Sequence, residues 1–150
     1  MNLSIISWVI YDIGNTLFNA GVTGLFFPLW IVTKLNGTDA TVGYTLSLAL
    51  LVSLLISPIV GALSDQTKKR KLFLAIFTFI CGISTTFIGD NSIIISLIYY
   101  GISVTCLHVG DIFYNSMLKD VSHKNNIGII GGIGAGVGYF GAIIAILIEL

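Results

Sequence analysis

The chain alternates between long apolar stretches and short polar connections. Five apolar runs are present, at residues 5–33, 41–63, 72–89, 93–117 and 127–148. Each run meets the ~17–25 residues that a helix needs to cross a bilayer, the first one with a tilt. Strands of a membrane barrel would instead alternate apolar and polar residues over about 10 positions. The pattern therefore predicts an all-α, polytopic bundle of about five transmembrane helices.

The composition agrees with this prediction. Hydrophobic residues make up 55% of the chain and charged residues only 9%. A soluble domain has roughly 25% charged residues, which it needs to cover its surface. We therefore expect an integral, multi-pass membrane protein whose main partner is the lipid bilayer. The basic residues form no patch on a folded surface, so nucleic acid is not an expected partner.

The positions of the basic residues predict the orientation. Six of the seven lie in the second and fourth connections between the runs: Lys68, Lys69, Arg70, Lys71, Lys119 and Lys124. The first connection has only Lys34, and the third has none. By the positive-inside rule, the second and fourth connections and the N-terminus are cytoplasmic. Five spans then leave the C-terminus outside, and we expect a chain truncated in or after the fifth span, with a complete five-span protein as the alternative.

Polar side chains recur inside two of the apolar runs. They are Asp12, Asn15 and Asn19 in the first run, and His108, Asp111 and Asn115 in the fourth. Spacings of three and four residues put each set on one face of its helix. A charged residue at mid-bilayer costs about 2.5–3.5 kcal/mol, so each set should face protein or water. We expect both faces to line a water-filled cavity that binds substrate or carries a proton; the alternative is that they only hydrogen-bond between helices.

The fifth run is rich in glycine. Gly128, Gly132 and Gly136 repeat every four residues, a pattern that lets another helix approach closely, and we assign them to helix packing. Cys81 and Cys106 both fall in apolar runs, where an unpaired cysteine behaves as a small hydrophobic residue. No metal-binding spacing is present, and no metal or other cofactor is expected.

The second connection carries a recognisable motif. Residues 61–70 read Gly-Ala-Leu-Ser-Asp-Gln-Thr-Lys-Lys-Arg. This stretch resembles the cytoplasmic signature between spans two and three of the major facilitator superfamily, which is Gly, three residues, Asp, a basic residue, any residue, Gly and two basic residues. The matching residues are Gly61, Asp65, Lys69 and Arg70. Gln66 stands in place of the basic residue, and Lys68 stands in place of the second Gly.

Three further segments resemble one branch of that superfamily, the vacuolar amino-acid effluxers linked to autophagy and their prokaryotic relatives. The first is Ser7-Trp8-Val9-Ile10-Tyr11-Asp12, followed by Asn15. The second is Phe113-Tyr114-Asn115, at the end of the fourth run. The third is Gly138-Tyr139-Phe140-Gly141, in the fifth run. Together with the signature, the resemblance covers essentially the whole chain.

The resemblance implies a twelve-span protein built from two six-helix halves, of which this chain holds about five spans of the first. It implies that spans one and four line the central cavity, and that Asp65 and the following basic residues latch a cytoplasmic gate against the missing C-terminal half. The implied function is secondary active transport of small solutes, amino acids among them, by alternating access with a coupling ion such as a proton. The membrane would be the plasma membrane in a prokaryote and the vacuolar or another internal membrane in a eukaryote.

Two other functions remain as alternatives. The chain could be a small multi-span accessory or scaffold protein, whose polar faces bind the spans of a partner. An intramembrane enzyme using Asp12, His108 and Asp111 is less well supported, because the sequence lacks metal-binding spacing, a nucleophile elbow and a phosphate-binding loop. We therefore do not expect an enzyme.

Overall fold

A computed structural model describes residues 3–89, 92–122 and 126–149, and the regular structure within these ranges is all helical. The elements are α1 (Leu3–Phe18), a π-helical segment (Asn19–Phe26), α2 (Phe27–Lys34), α3 (Asp39–Thr67), α4 (Arg70–Thr86), α5 (Ile93–Val121) and α6 (Ile127–Glu149). The prediction of an all-α protein is confirmed. Lys124, one of the basic residues used to predict the orientation, lies outside the described residues.

The first predicted span is one continuous helical stretch with a change of hydrogen bonding inside it. Between α1 and α2, the π-helical segment bonds five residues back, as where Phe27 N–H donates to the Val22 carbonyl. The stretch ends where Asn36 adopts a left-handed conformation with φ 52°. Gly37 N–H then donates to the Ile31 carbonyl over 3.0 Å, which satisfies one of the carbonyls that a helix end leaves open.

Four of the described helices are long and apolar enough to cross a membrane: Leu3–Lys34, Asp39–Thr67, Ile93–Val121 and Ile127–Ile148. With 17 residues, α4 is about 25 Å long, slightly less than the ~30 Å hydrocarbon core. Hydroxyl groups inside the helices donate to carbonyls of the preceding turn, as Thr85 does to Cys81 over 2.7 Å. Such bonds allow polar side chains to remain in lipid. The chain is an integral, multi-pass membrane protein.

The helices form two compact units. The first contains Met1–Leu29 and Ser116–Leu150, and its main packing is α1 against α6. A Cβ added at Gly134 would overlap the Trp8 ring, and one added at Gly21 would lie 3.2 Å from Ala145 Cβ. Residue numbers therefore increase together along the two helices, which means that α1 and α6 are parallel.

The second unit contains Trp30–Asn115 and joins α3, α4 and most of α5. A Cβ added at Gly101 would lie 3.5 Å from Thr45 Cγ2, and Thr105 Oγ1 donates to the Ala49 carbonyl over 3.3 Å. Thr45 thus faces Gly101, and Ala49 faces Thr105. Residue numbers rise in the same direction along both helices, so α3 and α5 are parallel.

The direction of α4 is opposite to that of α5. The Phe73 and Phe113 ring centroids are 5.6 Å apart at one end of the pair. At the other end, the Phe87 and Tyr99 centroids are 5.2 Å apart, so residue numbers rise along α4 as they fall along α5. Successive helices of this unit therefore alternate in direction, as helices that cross a membrane in turn must do.

Candidate functional site

The two ionisable side chains predicted on the fourth span lie next to each other. His108 and Asp111 are one turn apart on α5, with Nδ1 and Oδ2 separated by 3.7 Å. Their side chains are 30% and 26% exposed, respectively. A distance of 3.7 Å is too long for a hydrogen bond but within the range of an ion pair once the imidazole is protonated. The two ionisable side chains are therefore neighbours on one face of α5. Asn115, one turn further along, is exposed.

Asp12, the carboxylate of the first span, faces α6. A Cβ added at Gly138 would overlap Asp12 Oδ2 and would lie 3.0 Å from Asp12 Cγ and 3.1 Å from Thr16 Oγ1. The Asp12 side chain is half-buried, and so is that of Asn15. Asn19 is exposed and is the first residue of the π-helical segment. The carboxylate thus lies against the backbone of a neighbouring helix, at a position where that helix has no side chain.

The predicted polar residues fall into two groups. Asp12, Asn15 and Asn19 belong to the first compact unit, whereas His108, Asp111 and Asn115 belong to the second. Within the second group, His108 and Asp111 are brought together. That the two groups line one cavity stays a prediction.

The glycines of α6 that contact α1 are not those chosen from the sequence. A Cβ added at Gly128, Gly132 or Gly136 would have no neighbour within 4 Å, so their role in helix packing stays a prediction. The buried positions on α6 are Gly134, Gly138, Gly141 and Ala145. We call these four residues the α6 seam. Their spacings of four, three and four residues were visible in the sequence, but so was the competing series through Gly128, Gly132 and Gly136.

The signature motif forms an ion pair at the turn between α3 and α4. Arg70 Nε and Nη2 both donate to Asp65 Oδ1, over 3.1 and 2.7 Å. Lys68, which replaces the second Gly of the signature, adopts a left-handed conformation with φ 53° and ψ 25°. Lys69 is exposed, and a Cβ added at Gly61 would have open space. The turn therefore keeps the backbone shape for which glycine is the usual residue, despite the substitution.

An apolar cavity of about 450 Å³ lies between α3 and α5 in the second unit. Its walls come from residues 45–52 of α3 and 94–106 of α5. The two threonine hydroxyls in the wall donate to carbonyls of their own helices, Thr45 to Thr41 over 3.0 Å and Thr105 to Gly101 over 2.8 Å. Such a wall suits hydrocarbon rather than a polar solute. Among the described residues, no group of three or more His, Cys, Asp or Glu side chains is placed to hold a metal ion.

Comparison of the amino-acid sequence with known proteins identifies its family. The family model described as "Vacuole effluxer Atg22 like" matches residues 35–126, more than half of the chain. The chain belongs to this Atg22-like family. The resemblance to the autophagy-linked branch, drawn from residues 7–15, 113–115 and 138–141, is thereby confirmed.

Two relatives of this Atg22-like chain extend the comparison. An uncharacterized MFS-type transporter, YxiO of Bacillus subtilis, is 27% identical over 96% of the chain, which covers 36% of that protein. An uncharacterized protein of Aquifex aeolicus is 27% identical over 95% of the chain, covering 37% of its length. The chain thus spans roughly a third of the length of the curated relatives that it matches. No solved structure matches it significantly.

Proposed function

We propose that this Atg22-like chain contributes the first five spans of a secondary transporter that moves small solutes, amino acids among them, by alternating access. The observation that carries the proposal is the presence of half-buried carboxylates, Asp12 and Asp111, inside helices that span the membrane. Such residues are costly in lipid and commonly mark substrate or proton pathways. The chain matches only about a third of the length of each relative. This supports the proposal that further spans complete the site.

The helix directions support five crossings with a cytoplasmic N-terminus. Because α3 and α5 are parallel, the chain has to return across the bilayer between them, and α4 is the helix that does so. The parallel alignment of α1 and α6 requires an odd number of crossings between these two, which α3, α4 and α5 provide. The lysines and arginine at the α3–α4 turn then lie on the cytoplasmic side, as the positive-inside rule requires.

The chemistry of the pathway follows from the two carboxylates. A carboxylate in a low-dielectric cavity is a suitable site for the ammonium group of an amino acid. The neighbouring His108 and Asp111, whose Nδ1 and Oδ2 atoms are 3.7 Å apart, would carry the coupling proton along the pathway. Rocking of two halves of the transporter around these residues would expose them to each side of the membrane in turn. The proton gradient or the solute gradient would supply the driving force.

The experiment compares three variants of the complete transporter in vesicles, with uptake and efflux of radiolabelled amino acids as the measurement. We expect Asp12→Asn and Asp111→Asn each to abolish or strongly reduce transport. The matched control is Asp120→Asn, which makes the same chemical change at an exposed position near the end of α5 and should transport normally. Normal transport by both Asp12→Asn and Asp111→Asn would contradict the proposed site.

We also propose that the Asp65–Arg70 pair stabilises one state of a cytoplasmic gate. The pair joins the end of α3 to the start of α4, at the turn that matches the superfamily signature. Asp65→Asn should change the ratio of inward-open to outward-open transporter, measured by cysteine accessibility from the two sides. An unchanged labelling pattern would restrict the role of this ion pair to the turn itself.

A further inference from the structure

Three glycines of the α6 seam face α1, but their surroundings differ. A Cβ at Gly134 would overlap the Trp8 ring, with Cη2 at 2.9 Å, and Trp8 is buried with only 6% of its surface exposed. A Cβ at Gly141 would overlap the Ile13 carbonyl oxygen and lie 2.9 Å from Leu17 N. Neither a packed indole nor a helix backbone can move aside through a simple change of rotamer. Methyl groups at these two positions would therefore push the helices apart.

Gly138 is different because its neighbour is a carboxyl group at the end of a movable side chain. The atoms that an added Cβ would meet are Asp12 Oδ2, Asp12 Cγ and Thr16 Oγ1. The Asp12 side chain turns about two torsions, so rotation of the carboxylate would remove the overlap while the helices stay in place. A methyl group at position 138 would consequently displace the carboxylate more readily than it would separate α1 from α6.

We propose that Gly138 is a positioning residue for Asp12. Its lack of a side chain leaves the space in which the carboxylate lies, and this fixes the Asp12 rotamer within the contact between α1 and α6. The importance of this position for transport rests on the proposed function, in which Asp12 acts. The contact between Gly138 and the Asp12 carboxyl group does not depend on it. The absence of a side chain at position 138 would then determine where the carboxyl group of Asp12 meets its solute or proton.

The glycines of α6 provide a matched series of variants. Gly138→Ala places a methyl group against the carboxylate, and Gly134→Ala places the same group against the indole of the same helix contact. Gly136→Ala adds it in open space, since no atom lies within 4 Å of that Cβ. The three variants differ only in what the methyl group meets.

The first measurement is carboxyl labelling of the chain in phosphatidylcholine vesicles. The probe is dicyclohexylcarbodiimide, an apolar reagent for carboxyl groups, and mass spectrometry would give the rates at Asp12 and, as an internal reference, at Asp111. We expect Gly138→Ala to accelerate labelling of Asp12 at least about fivefold, the effect of losing a favoured rotamer, with Asp111 unchanged. Gly136→Ala should change the Asp12 rate less than about twofold, and Gly134→Ala, which separates the helices without displacing the carboxyl group directly, should accelerate it less than Gly138→Ala does. Equal rates in Gly138→Ala and Gly136→Ala, or equal acceleration in Gly138→Ala and Gly134→Ala, would overturn the proposal.

A double-mutant cycle tests the same contact without labelling. If the methyl group at position 138 meets the carboxylate, removing that carboxylate by Asp12→Ala should relieve most of the destabilisation caused by Gly138→Ala. Asp12→Ala should give no such relief to Gly134→Ala, whose methyl group meets Trp8. Additive effects of Asp12→Ala and Gly138→Ala on the unfolding midpoint would contradict the proposal, even if Gly138→Ala alone folds poorly.

Transport separates this inference from the proposed function. If Asp12→Asn transports normally while labelling still distinguishes Gly138→Ala from Gly134→Ala, the positioning role stands and the transport role of Asp12 fails. If Asp12→Asn abolishes transport while the labelling and the cycle show no contact with position 138, the proposed function stands and the positioning role fails.

Discussion

Replacing Lys68 by glycine should stabilise the protein. Lys68 lies in the two-residue connection between α3 and α4, where its backbone has φ 53° and ψ 25°. For a residue with a Cβ, the left-handed region costs about 1–2 kcal/mol, because the Cβ approaches the following carbonyl oxygen. The superfamily signature has Gly at this position, which avoids that cost.

The expected gain follows from two opposing effects. Relief of the backbone strain contributes about 1–2 kcal/mol. The greater conformational freedom of glycine in the unfolded chain offsets about 0.5–1 kcal/mol of this. We therefore expect Lys68→Gly to raise the free energy of unfolding by about 0.75 kcal/mol, the middle of a range of about 0–1.5 kcal/mol. The exposed lysine side chain contributes little to packing, so its loss should not change this balance.

Lys68→Ala is the matched control, because it removes the same charge and aliphatic stem but keeps a Cβ in the strained conformation. Asn36→Gly is a second control, since Asn36 is also left-handed with φ 52° but asparagine tolerates that region. We expect both controls to change stability by less than about half the effect of Lys68→Gly.

The assay is titration of the purified chain with SDS in mixed micelles. Reaction of the two buried thiols, Cys81 and Cys106, with a fluorogenic maleimide would report unfolding. If Lys68→Gly is no more stable than Lys68→Ala, the left-handed strain assigned to this turn is absent, and glycine in the signature has another reason.

Three other substitutions test contacts within the second compact unit by the same titration. Thr105→Val, which removes the hydrogen bond to the Ala49 carbonyl, should cost about 0.6 kcal/mol, and Thr105→Ser should recover most of it. Asp65→Asn, which breaks the pair with Arg70, should cost less than about 1 kcal/mol because Asp65 is 66% exposed, and the cost should largely disappear in 1 M salt. Phe113→Ala should be the most damaging, by about 2 kcal/mol or more, because the ring is 1% exposed and its loss leaves a cavity; Phe113→Leu should be milder.

The sequence predicted the helices well because lipid imposes a simple constraint on them. A backbone in hydrocarbon has to satisfy its own hydrogen bonds, so long apolar runs become helices. The run at 5–33 agrees with the helical stretch Leu3–Lys34, and the run at 93–117 with Ile93–Val121. The π-helical segment within the first stretch could not be predicted, because hydrophobicity does not reveal whether a carbonyl bonds four or five residues ahead.

The functional residues were only partly predictable. Spacing alone indicated that His108 and Asp111 share a helix face, and they are in contact range. The α6 seam was missed because α6 carries two overlapping series of glycines, one through Gly132 and Gly136 and one through Gly134 and Gly138. Both series satisfy the same small-residue pattern. Which of them faces α1 is decided by the packing of Trp8 and Asp12, and these side chains lie far away in the sequence.

The location of Asp12 within a helix contact has a mechanistic consequence. Gly138, one of the glycines at which α6 contacts α1, lies against the Asp12 carboxyl group. A charged group is costly in a dry contact, whereas a neutral or paired carboxyl group is tolerated there. Protonation of Asp12, or binding of a cationic group to it, should therefore favour close packing of α1 and α6, and release should favour their separation. Under the proposed function, ligand binding at Asp12 and the movement of α1 relative to α6 would then be coupled, so that each changes the equilibrium of the other.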